Sequence, residues 1–133
     1  MTDTEALSPR VLWIGDLLAY VIITLIGFSS HGSLELAALL RMLATFGPFY
    51  ASWLIFSTWA GVHRRLQGPD MSWLLRSGLA ALLSAPLGAT LRGFWLGTPI
   101  LPIFVLVMGL VSMLGIIVWR GLYVKLIRSR EET

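Results

Sequence analysis

Cysteine is missing from this sequence, charge is sparse, and histidine occurs only twice. The missing thiols exclude a disulfide framework, a thiolate nucleophile and a cysteine-ligated metal. Charged side chains make up 13% of the 133 residues. A soluble domain carries about 25%, so water is a poor solvent for most of this surface. The two histidines, His31 and His63, fall in different connections between apolar segments. A metal centre needs several imidazole or carboxylate ligands near one point. Neither a metal site nor a bis-histidine haem fits, which leaves at most a single axial ligand at either edge. Paired carboxylates for acid–base work are lacking too, because Asp16 and Glu35 fall near opposite membrane faces. Ser30 directly precedes His31, but no acid is placed to orient the imidazole. With no catalytic group, metal site or cofactor site in view, the sequence reads as a protein without enzymatic activity of its own.

What the chain has in abundance is apolar length: 56% of its residues are hydrophobic and its mean hydropathy is +0.80. Four apolar segments can be drawn, 11–28, 36–61, 72–95 and 99–124, each near the roughly 20 residues that a helix needs to cross a bilayer. They consume most of the chain, so residues 1–133 form one transmembrane domain with no room for a soluble catalytic one. The leader carries Asp3 and Glu5 against a single Arg10, unlike the net-positive start of a removable signal, so the first segment is expected to stay as helix 1. Short connections favour sequential antiparallel neighbours. The expected fold is an all-α, four-helix transmembrane bundle running up-down-up-down.

The net charge of +3 does not point to nucleic acid, because the basic residues sit at segment ends. Placing both termini in the cytoplasm puts Arg10, Arg64, Arg65, Arg76, Arg120, Lys125, Arg128 and Arg130 on that side, and only Arg41 and Arg92 on the other. The positive-inside rule therefore favours this orientation. The cytoplasmic clusters are expected to meet anionic lipid headgroups. Gln67-Gly68-Pro69-Asp70 marks the middle turn, and Pro99 and Pro102 fall in the first turn of helix 4, where a missing donor costs little. Ser77, Ala81, Ser84, Ala85, Gly88 and Ala89 recur at three- and four-residue spacings, making helix 3 the close-packing core. Trp13, Trp73, Trp95 and Trp119 lie near span ends and read as an aromatic belt. Pro48 and Pro86 near mid-membrane allow two readings: tolerated kinks, or broken helices framing a transport site.

Two layers of intramembrane charge follow from depth. Asp16 and Arg76 each lie about 6–8 Å inside from the cytoplasmic side at 1.5 Å per residue, and an ion in that position needs a partner. Asp16 is expected to pair with Arg76, either as a fixed salt bridge setting helix register or as part of a proton relay. His63, beside Arg64 and Arg65, reads as a solvated loop residue. The outer layer holds His31, Glu35, Arg41 and Arg92, with one acid for two arginines. Those arginines either snorkel to lipid phosphates or grip an anionic ligand in bidentate fashion.

Several short patterns carry a family resemblance. They are Asp16, Gly27 and Ser30-His31-Gly32 around helix 1; Pro48-Phe49 in helix 2; Arg76-x-Gly78 and Gly88-x-x-x-Arg92 at the two ends of helix 3; and Phe104 with Trp119-Arg120 in helix 4. Together they resemble the domain-of-unknown-function family numbered three thousand and fifty-four, small four-span prokaryotic membrane proteins. Phe28 departs from the pattern, which favours a basic residue there. The resemblance implies a multi-pass protein of the cytoplasmic (inner) cell membrane and supplies no mechanism.

The buried polar candidates are thus Asp16, Ser30, His31, Arg41, Arg76 and Arg92. The leading expectation is a scaffold or accessory subunit, with a membrane-protein partner or a second copy against an exposed small-residue groove. The alternative is a small transporter or anion-binding membrane protein using Asp16, Arg41, Arg76 and Arg92. A transport site calls for a wet cavity reaching Asp16, whereas a scaffold calls for dry packing there.

Overall fold

A computed structural model describes residues 8–29, 35–63 and 70–131. Those residues form four helices: α1 (Pro9–Ser29), α2 (Leu36–Ala60), α3 (Met71–Leu96) and α4 (Pro102–Glu131). All four are long and apolar enough to cross a membrane. The protein is a multi-pass, all-α membrane protein. Helix α1 packs against α2 and α4, and α3 packs more closely against the same two. Helices α1 and α3 therefore stand on opposite corners of the bundle.

The helix ends follow local chemistry. Pro9 and Pro102 open α1 and α4, where a missing amide hydrogen leaves no bond unmade. Asp70 caps α3 by accepting a hydrogen bond from the Trp73 amide at 2.9 Å, satisfying one of the free donors of the first turn. Gly61 and Gly97 close α2 and α3 in the left-handed region, at φ 69° and 63°, which a residue without Cβ adopts cheaply. Helix α4 starts three residues after the sequence placed it and continues past Val124 to Glu131. Nothing between Lys125 and Glu131 breaks a helix. Helices α2 and α3 run without a break through Pro48 and Pro86, so the broken-helix reading does not hold. Hydroxyls lie along both stretches, with Ser52 donating to the Pro48 carbonyl and Thr90 to the Pro86 carbonyl.

The small residues of α3 face inward: Ser77, Ala81, Ser84, Ala85, Gly88 and Ala89 are all buried. Gly88 decides one contact, because a Cβ there would press on Phe49, backbone included, at 2.8–3.1 Å. On α4, Leu106, Leu110, Leu114, Val118, Leu122 and Leu126 recur every fourth residue and stay exposed, a stripe for acyl chains. The small residues of α3 thus form the close-packed interior of the bundle, as their spacing predicts.

Candidate functional site

The polar residues collect at two levels. The first lies at the end of the bundle that carries the chain termini. Asp16 on α1 is fully buried, and so is Arg120 on α4. The Arg120 Nη2 and Nε donate to the two Asp16 carboxylate oxygens at 2.6 and 3.2 Å, a bidentate grip. Trp119 Nε1 donates to Asp16 Oδ1 at 3.1 Å, and His63 Nε2 lies 2.7 Å from Oδ2. Arg120 Nη1 reaches the Val62 carbonyl at 2.9 Å and the Ser77 hydroxyl at 3.0 Å.

A carboxylate only accepts, so the His63 contact to Asp16 is a hydrogen bond when Nε2 carries the hydrogen. The contact from Arg120 Nη2 to the same nitrogen, 3.1 Å, then joins two donors and contributes no bond. His63 Nδ1 is buried with no hydrogen-bond partner among the described residues. Aromatic rings enclose the group: Trp13 stacks on His63 at 3.7 Å between centroids, and the Arg120 guanidinium lies 5.5 Å from the Trp53 ring and 5.1 Å from Trp73. Gly15 is required here, since a Cβ at that position would overlap the Trp119 indole.

Several sequence expectations are corrected at this end. Arg76 does not pair with Asp16. It sits on the exposed side of α3, and α3 is diagonal to α1, whereas α4 is adjacent. The apolar run that stops at Val124 puts Arg120 with the headgroup-facing cations in sequence; with α4 reaching Glu131, Arg120 lies about three turns from the helix end. His63 is not solvated: the Gly61 turn folds Val62 and His63 back over the bundle, leaving the His63 side chain 8% exposed. Trp13, Trp73 and Trp119 are members of this cluster rather than interfacial anchors, while Trp95 remains exposed. A chemical signal for Arg120 did exist, as a tryptophan–arginine pair inside an apolar run. Ser30 and His31 fall outside the described residues, as do Arg64 and Arg65.

The second level lies toward the opposite end, where a cavity of about 560 Å³ is lined by all four helices. Its cations are Arg41 from α2 and Arg92 from α3, beside Thr24, Thr45, Phe28 and Phe104. Arg92 does not snorkel outward. Its Nε donates to the Thr45 hydroxyl at 2.8 Å, and its guanidinium lies over the Phe104 ring at 4.8 Å. Phe104 is supported by Phe49, edge-on at 5.9 Å, which in turn needs Gly88. Both ion pairs found among the described residues involve Asp16, so no carboxylate there neutralises Arg41 or Arg92. No cluster of three potential metal ligands occurs among the described residues.

The residues of both levels lie in one recognisable sequence pattern. The profile of a family described as proteins of unknown function, DUF3054, matches residues 13–123. The chain belongs to the DUF3054 family. The matched stretch runs from Trp13, stacked on His63, to Tyr123, stacked on Trp119, so the DUF3054 pattern spans the Asp16 cluster and the arginine cavity alike. No curated protein and no solved structure matches the chain.

Proposed function

We propose that this DUF3054 protein is a non-enzymatic membrane protein that binds an anion in the cavity between Arg41 and Arg92. The observation that carries the reading is a pair of arginines lining one cavity with no acid in its wall and no ion pair to either among the described residues. Arg92 is half-buried and Arg41 exposed; cations within a membrane span need compensating charge, and guanidinium groups match the planar oxygens of carboxylates and phosphates. Asp16 takes no part in the binding. It is held dry by Arg120, His63 and Trp119 and serves as the lock that fixes α1 against α4 and the end of α2. The proposed orientation keeps the termini in the cytoplasm of a prokaryotic cell, with the cavity toward the outer face.

The reading is tested with the protein in phosphatidylcholine nanodiscs and two probes, inorganic phosphate and octyl phosphate. At least one should bind saturably to the wild type, and Arg92→Gln or Arg41→Gln should weaken it. Binding of neither probe, or binding indifferent to both substitutions, would remove the proposal. The close packing around Asp16 also suits a scaffold, but the small residues of α3 that could receive a partner are turned into the bundle.

A further inference from the structure

Resting on the anion-binding reading, we infer that the ligand of the Arg41–Arg92 cavity is an amphiphilic organic anion, an oxyanion head on a compact apolar body, rather than a bare inorganic ion. The cavity volume of about 560 Å³ falls in the range of roughly 300–1,000 Å³ that takes small organic ligands. The chemistry of the wall divides accordingly. Arg41, Arg92, Thr24 and Thr45 supply the polar groups, while Ile23, Phe28, Ala38, Phe104, Val107 and Met108 supply an apolar lining. Arg92 spends Nε on Thr45 and rests its face on Phe104, which aims the fork and leaves Nη1 and Nη2 without a hydrogen bond to any described residue. An oxyanion fits that fork in two-point fashion.

Depth sets the size of the body. Arg92 lies about 6 Å and Arg41 about 7.5 Å inside the ends of their helices, while Ile23 and Met108 lie about 9 Å inside theirs, at 1.5 Å per residue. The head is thus held near the arginines with only a short reach of apolar wall around it. A chain of about eight carbons or a single ring system suits this space, and a full diacyl lipid does not enter it beyond its head. The shared chemistry, a phosphate or carboxylate carrying apolar carbon, is available from the bilayer as a lipid headgroup and from water as a free organic acid.

The experiment compares octyl phosphate with inorganic phosphate, and octanoate with acetate, by equilibrium binding to the full chain in phosphatidylcholine nanodiscs. Each octyl probe should bind at least tenfold more tightly than its bare counterpart, since every buried methylene contributes about fourfold. Arg92→Gln should weaken octyl phosphate about tenfold or more. Arg92→Lys should fall between, because it keeps charge and loses the fork. Met108→Trp, which fills the cavity and leaves both arginines, should weaken the octyl probes and spare the bare ions; it keeps the test open should Arg92→Gln fail to fold. Indifference to phosphatidic acid placed in the disc supports a compact water-borne acid, whereas full competition by it would show that the head alone decides binding and would overturn the compact body. Equal, arginine-dependent binding of bare and octyl probes overturns the amphiphile while leaving the anion site standing. Octyl binding untouched by both Arg92→Gln and Met108→Trp is partition into lipid and overturns the inference, and if inorganic phosphate fails to bind as well, the anion site falls with it.

Discussion

At the scale of single residues, the Asp16–Arg120 pair is the point of greatest sensitivity. Both side chains are fully buried, so neither charge can recover water when its partner is removed. Removing one member of such a pair costs about 3–5 kcal/mol, whereas replacing both with apolar residues of similar volume is often neutral. Asp16→Leu and Arg120→Met should therefore each lower the unfolding midpoint steeply in mild detergent, and the double variant should recover most of the loss. A double variant no better than the worse single one would mean that the pair does more than satisfy charge. Tyr20, one turn deeper on α1, gives the opposite expectation. Its hydroxyl faces Ser84 and Ser112 but makes no hydrogen bond in suitable geometry. Tyr20→Phe removes a polar atom that gains nothing from burial, so the unfolding midpoint should stay level or rise; a clear fall would show that the hydroxyl is bonded in the membrane.

At the scale of elements, α1 shows how much could be read from the chain and where reading failed. Its apolar length announced a span, and Asp16 announced that one face points inward. The buried face in fact runs Asp16, Tyr20, Thr24 at four-residue steps, a polar stripe linking the ion pair to the cavity wall. The small inward face of α3 was equally legible, because close packing leaves a spacing in the sequence. The partner of Asp16 was not. Depth from the nearest span end singles out Arg76, but depth is a one-dimensional measure, and pairing depends on which helices are neighbours. The extent of α4 was hidden for a related reason. Hydropathy marks where the apolar run stops, whereas the helix continues through Arg128 and Arg130, which cost little in a helix exposed to water or headgroups. His63 required knowledge of the Gly61 turn, a backbone reversal that composition alone does not reveal. The element-scale prediction concerns the α1–α4 contact. Gly15→Ala places a methyl where the Trp119 indole lies, so the ring must leave Asp16. Tryptophan fluorescence should shift and stability should fall by about 1–3 kcal/mol, as for other overpacked contacts. An unchanged spectrum would place the indole elsewhere.

At the scale of the whole molecule, the two levels divide labour along the bundle axis. The buried Asp16–Arg120 cluster ties α1, α4 and the end of α2 together, and the cationic cavity lies toward the other end, where all four helices contribute a wall. An even number of spans places Ser8 and Ser129 on one side and the exposed Phe94 on the other, and the basic residues near the termini favour the cytoplasm for the first side. The natural chain has no cysteine, so single cysteines report without background. In intact cells, a membrane-impermeant maleimide should label Phe94→Cys and spare Ser8→Cys and Ser129→Cys until the membrane is opened. Labelling of Ser8→Cys and Ser129→Cys from different sides would break the four-span topology; labelling of both from outside would keep it and invert the orientation. Phe28, at the cavity wall, then joins topology to ligand. Phe28→Cys should react from outside, and external octyl phosphate should slow that reaction while leaving Phe94→Cys unaffected. Protection at both positions would mean a general effect on the membrane, whereas protection confined to Phe28→Cys places the anion among Arg41, Arg92 and Phe104.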